Sequence, residues 1–177
     1  YEGAQSAISR ALAIARREQD ATLEMRTLTH AVYIASWYLR WPEMQSEASK
    51  AIELSVQAGD LSAETQVRSY FTANRIILGD SEGAHYHAKA ALEAAERLRD
   101  RTWLLFVLWS NESLRRLQGD WKAAREFSDR GLAVAPREPR LLGARTLLEY
   151  EVGDFLACES YLERLLEAMR LSPPGPT

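Results

Sequence analysis

Five stripes of residues recur along this chain at nearly fixed spacing, and that recurrence limits the possible folds more than any other feature. Ala124, Ser128, Gly131, Leu132 and Ala135 fall at i, i+4, i+7, i+8 and i+11, one face of a helix built mostly of small residues. Forty residues earlier the same places hold Ala84, Ala88, Ala91, Leu92 and Ala95. Two further steps of 40 give Met44, Ala48, Ala51, Ile52 and Ser55, then Ala4, Ile8, Ala11, Leu12 and Ala15. A forward step of 34 gives Cys158, Leu162, Leu165, Leu166 and Met169. An aromatic opens four of the five copies (Tyr1, Trp41, Trp121, Phe155), with Ser81 the exception. A fixed period in this range is the mark of stacked helical repeats, and a small-residue face lets a second helix approach closely.

The punctuation agrees. Aspartates at 20, 60, 80, 100, 120 and 154 each precede a helical pattern and suit the N-cap, where a carboxylate accepts a backbone N–H. Gly59, Gly79, Gly119 and Gly153 stand one residue earlier, at helix ends. The spacing predicts helices over about 3–17, 21–39, 43–58, 61–78, 81–98, 101–118, 121–135, 140–152 and 155–171. Pro42 belongs in a first helical turn, and Pro136 to Pro139 makes a stiffer corner. No stretch alternates strictly between turn signals, so no strand is expected. Short loops force neighbours to lie antiparallel. The expected fold is all-α: a right-handed α-solenoid of antiparallel helix hairpins, about nine helices with a 40-residue repeat. The domain runs from 1 to 171, and Ser172 to Thr177 reads as a Pro/Gly linker. With no initiating Met and Tyr1 in mid-repeat, the reading expects a fragment of a longer protein.

Composition narrows function. A net charge of −3 and a pI of about 5.7 argue against a dominant nucleic-acid surface. No apolar run approaches the roughly 18 residues of a membrane span, and no signal-peptide pattern opens the chain. A single cysteine excludes an internal disulfide framework and fits a reducing, cytoplasmic setting.

Gly119-Asp120-Trp121, followed by Ala124, Gly131 and Pro136, resembles the second-helix half of the tetratricopeptide repeat, and Gly153-Asp154-Phe155 resembles it again. Ser128 stands where that family prefers an aromatic, the first-helix signature is absent, and the period exceeds the family's 34 residues. Longer repeats of this kind resemble the sensor domains of maltose-regulator-like, LuxR-type bacterial transcriptional activators. The resemblance implies a regulatory input domain that binds a protein or an inducer. Tetratricopeptide modules that grip chaperone C-termini use first-helix lysines. Here Lys50, Lys89 and Lys122 all lie on second-of-pair helices.

No pattern calls for catalysis. The aspartates are explained as caps, and there is no phosphate loop or nucleophile elbow. His85 and His87 lie about 200° apart on a helix and cannot share a metal ion. Cys158 sits in a small packing column. No cofactor, metal or membrane contact is expected. Repeat proteins work through the face of their first-of-pair helices, and that face is assigned Arg26, His30, Tyr33 and Trp37, then Gln66, Ser69, Tyr70 and Asn74, then Phe106, Trp109, Ser110 and Ser113. The reading is a non-enzymatic module for a protein or peptide partner, or for other domains of the parent chain. Its alternative is a sensor with a small-molecule inducer in an enclosed pocket of the same residues. Pairing of terminal helices in a homodimer is a further expectation.

Overall fold

The computed structural model describes residues 2–40 and 44–171. Tyr1, Trp41, Pro42, Glu43 and residues 172–177 lie outside them, and so do the aromatic openers at 1 and 41, the Pro42 turn and the C-terminal linker. The described residues form nine helices and no strand: α1 (Glu2–Arg17), α2 (Ala21–Trp37), α3 (Met44–Ala58), α4 (Leu61–Ile77), α5 (Ser81–Leu98), α6 (Arg101–Leu117), α7 (Trp121–Val134), α8 (Pro139–Val152) and α9 (Phe155–Leu171). They pack as sequential antiparallel pairs.

The turns explain the regularity. Gln19, Leu39, Gly59, Gly79, Arg99 and Gly119 all have positive φ, one every 20 residues, followed by Gly153. The next residue closes the Schellman arrangement: the backbone N–H of Asp20, Asp60, Asp80, Asp120 and Asp154 donates to the carbonyl five residues back, at 2.8–3.0 Å. The carboxylates of the same aspartates then cap the following helix, accepting from the N–H of Leu23, Ala63, Gly83, Ala123 and Ala157. Asp100 caps α6 through the Trp103 N–H. One residue thus ends one helix and starts the next.

The chain divides into two compact units, and the boundary falls inside α6, between Trp103 and Leu104. The core of the first unit joins Leu28 and Val32 of α2, Met44, Ala48 and Ala51 of α3, and Val67 and Phe71 of α4. In the second, Leu132 of α7, Leu141 and Leu142 of α8 and Ala168 of α9 form a cluster, with Leu105, Trp109, Tyr161 and Leu165 packed around it. The small residues in the stripes of α3, α5 and α7 are buried. Their purpose shows at Gly131, where a Cβ would lie 2.7 Å from Leu141 Cδ1.

The fifth stripe needs correction. α9 packs on α8 through Tyr161, Leu165 and Ala168, whereas Leu162, Leu166 and Met169 are 42%, 47% and 59% exposed. An inner helix such as α3 has two flanks covered, by α2 and by α4; α9 packs chiefly on α8, with Ala168 reaching the Leu132 cluster.

Two substitutions test this account. Arg99→Gly removes a side chain from a left-handed residue and raises stability by about 0.5–1 kcal/mol in urea unfolding. Gly131→Val overpacks the α7–α8 contact and lowers stability by about 1–3 kcal/mol in the same measurement.

Candidate interaction surface

On α2 the open face steps by 4, 3 and 4 residues through Arg26, His30, Tyr33 and Trp37. Arg26 and His30 are exposed, Tyr33 is half-buried and Trp37 is 68% exposed. On α4 the open positions are Gln66, Tyr70, Ala73 and Ile77, each 40 residues further on. Tyr33 joins the two helices, its ring 5.4 Å from that of Tyr70 and 6.1 Å from that of Trp37. The first unit therefore presents an aromatic ladder running from Tyr70 through Tyr33 to Trp37. None of these eight positions carries a carboxylate.

Ser69 and Asn74 do not belong to that face. Both are buried, at 2% and 0% exposure, and the Ser69 hydroxyl donates to the Thr65 carbonyl within its own helix. The reason is phase. The open columns are 26/66/106, 30/70/110, 33/73/113 and 37/77/117, whereas Ser69 shares a column with buried Thr29. Carrying the α2 positions forward by one full period finds Ala73 and Ile77, and a second period finds Leu117, all of which the sequence assignment omits.

In the second unit, Phe106, Ser110 and Ser113 of α6 are half-buried and Leu117 is 60% exposed. Trp109, 5.6 Å from Phe106 by ring centroids, packs onto the Leu132/Leu141/Leu142 cluster and so is largely a packing residue. The Ser110 hydroxyl donates to the Phe106 carbonyl and the Ser113 hydroxyl to Glu112. The guanidinium of Arg140 lies 5.8 Å from the Phe106 ring centroid, which brings α8 beside this face. Each first-of-pair helix ends on an apolar side chain, Trp37, Ile77, Leu117 or Val152, and all four are exposed.

Two concavities lie elsewhere. One, of about 100 Å³, sits between α1, α2 and α3 and is lined by Ile8, Leu12, Ile34, Met44 and Glu47 among others. The other is open and lies at the start of α7, around Trp121 and Arg125. Neither is lined by the twelve residues assigned from sequence. Among the described residues no group of three or more His, Cys, Asp or Glu side chains is placed to hold a metal ion.

The ionisable groups whose pKa values move furthest are interior ones that the sequence did not disclose. His87 packs 4.8 Å from the Phe71 ring, and its Nδ1 lies 3.4 Å from Arg68 Nη1. Burial, then the Arg68 and Arg75 charges, lower its pKa to about 4. A guanidinium can only donate, so Nδ1 is the acceptor and the ring is neutral. Glu112 and Glu149 are both almost fully buried, yet they differ. Glu149 accepts from Arg125 and Arg145 and is held below the ordinary carboxylate range, chiefly by the Arg125 hydrogen bonds. Glu112 has only the Ser113 hydroxyl and a 3.8 Å approach from Arg116, which is itself bonded to Glu151. Burial pushes its pKa up to about 7. With no exposed surface, Glu112 can exchange a proton but meets no substrate.

Among solved structures the chain is similar to the crystal structure of BtubC (BKLC) from P. vanneervenii, with a TM-score of 0.78 at 18% identity over 98% of this chain and 74% of that one. The fold is tetratricopeptide-like. At that identity the likeness concerns the fold alone. No protein-family model matches the sequence, and no curated protein matches it. The closest pairings, α2 with α3, α4 with α5 and α8 with α9, agree with α2, α4 and α8 as first helices of their pairs. No helix among the described residues is long and apolar enough to cross a membrane.

His87 and Glu112 make opposite contributions to the pH dependence of stability. His87, depressed from 6.5 to about 4, supports the first unit above pH 6.5, and that support is lost as the pH falls toward 4. Glu112, raised from 4.5 to about 7, supports the second unit fully below pH 4.5, and that support declines as the pH rises through 7, by on the order of 3 kcal/mol. Glu112→Gln flattens the alkaline decline and leaves the acid one, as read by urea unfolding across the pH range.

Proposed function

We propose that this chain is a non-enzymatic protein-interaction module that binds a protein segment on the open columns of its first-of-pair helices. The observation that carries this reading is the α2–α4 face, where Trp37 stands 68% exposed at the end of a ladder of rings in mutual contact. An exposed Trp flanked by Tyr, His, Arg and Gln is the composition of a binding hot spot. The helices are fixed by their own turns, so a partner meets a preformed surface and little ordering entropy is lost on this side. Placement of the module in a LuxR-type transcriptional regulator is supported by the sequence resemblance only. The inducer-sensor reading has less support. The more enclosed concavity, of about 100 Å³, is well below the roughly 300–1,000 Å³ of small-molecule sites, the larger one at the start of α7 is open to solvent, and the aromatic ladder lines neither.

The test pairs binding with stability. Trp37→Ala leaves thermal unfolding nearly unchanged, because the side chain is mostly in water. The immobilised variant loses the proteins that the parent chain captures from lysate, by about tenfold or more. A capture pattern untouched by Trp37→Ala and Arg26→Ala, or a saturable thermal shift with a metabolite in place of a protein, would refute this reading.

A further inference from the structure

We propose that the concavity between α1, α2 and α3 receives one arginine side chain from a partner protein. Its floor is apolar, formed by Ile8 and Leu12 of α1, Ala31 and Ala35 of α2 and Met44 of α3, and Glu47 lies beside them. The repeat shows what such a place holds elsewhere in the chain. One period on, Ala31 becomes Phe71, Ala35 becomes Arg75 and Glu47 becomes His87. There the chain supplies its own filling. The Phe71 ring is buried and lies 4.8 Å from the His87 ring, and the Arg75 guanidinium sits 4.4 Å from the Phe71 centroid. Where the second copy sets a ring and a guanidinium, the first has two methyl groups. Ile8 and Met44, in place of Ala48 and Ala84, take up part of that room, and about 100 Å³ remains. That volume suits one side chain and is too small for a metabolite.

Charge selects the side chain. Glu47 is half-buried, the Ser46 hydroxyl donates to its Oε2 at 3.0 Å, and Lys50, one turn further on, is bonded to Glu53. Among the described residues no cation pairs with Glu47. An arginine meets both halves of the site: its stem lies on the aliphatic floor, and its planar fork matches the carboxylate. A guanidinium also takes the place that Arg75 fills in the next copy. Gln5 and Ser9, exposed on α1, line the same concavity and offer an amide and a hydroxyl to the backbone of the incoming segment. At 100° per residue Ala35 lies 180° round α2 from Arg26, so the site faces away from the open columns. Its failure would leave the reading of those columns untouched.

Methyl-resolved NMR titration of the 177-residue chain tests the proposal. The probes are n-butylguanidinium and the blocked peptide acetyl-Gly-Gly-Arg-Gly-Gly-amide. The expected result is saturable shifts at the methyls of Ile8, Leu12, Ile34 and Met44 with both, the peptide binding several-fold more tightly. Glu47→Gln weakens binding by about tenfold or more, with circular dichroism unchanged because the side chain is only half-buried. Ala31→Phe, which installs the residue found one period on, abolishes the shifts without lowering the thermal midpoint. Arg26→Ala, on the open face, leaves them in place. Three results overturn the site: no saturable shift with either probe, equal shifts with neutral n-pentanol, or binding indifferent to Glu47→Gln. Tighter binding of n-butylguanidinium than of the peptide overturns a protein segment as the source. Tighter binding of the same peptide with lysine in place of arginine overturns the choice of side chain.

Discussion

The structure depends on one shared residue at its turns. An aspartate whose backbone N–H closes the helix behind it, and whose carboxylate opens the helix ahead, removes orphaned groups from both ends at once. Because the left-handed residue before it recurs every 20 positions through Gly119, successive helices have nearly equal length. Equal arms bring the same column of one hairpin against the same column of the next. The small-residue stripes work only because of that registration; a helix one residue out of phase would turn its alanines by about 100° and present charged neighbours to the core.

Inside this frame the two buried glutamates show what the ion-pair geometry decides. Glu149 has two arginines aimed at it, and ionisation is compensated by hydrogen bonds on both oxygens. Glu112 stands in a column that holds Val32 and Thr72 in the earlier copies, and its nearest arginine is engaged elsewhere. The same side chain at similar depth is an anchor in one place and a proton acceptor in the other. A buried carboxylate without committed partners is cheaper to keep protonated than to ionise.

Much of this was legible in the sequence because it is local and periodic. The caps, the turns and the small stripes of α3, α5 and α7 need only spacing and residue type. The misassignments arose where phase had to be carried between helices: Ser69 and Asn74 sit one step away from the open columns and are buried. Leu162, Leu166 and Met169 follow the stripe pattern but not its burial, because burial depends on what lies across from a helix and not on the helix itself. Glu112 and His87 were invisible for the same reason. Their protonation is set by neighbours on the next turn or on another helix, and no short-range pattern announces that.

The distribution of amines has a practical consequence. Lys50, Lys89 and Lys122 are the chain's only lysines, all exposed and all on second-of-pair helices. Side-chain acylation, whether by a modifying enzyme or by a coupling reagent, therefore falls on α3, α5 and α7. The arginine, histidine and tyrosine side chains of the α2–α4 face offer no primary amine. The chain can be tethered or tagged through its lysines while that face keeps its native chemistry.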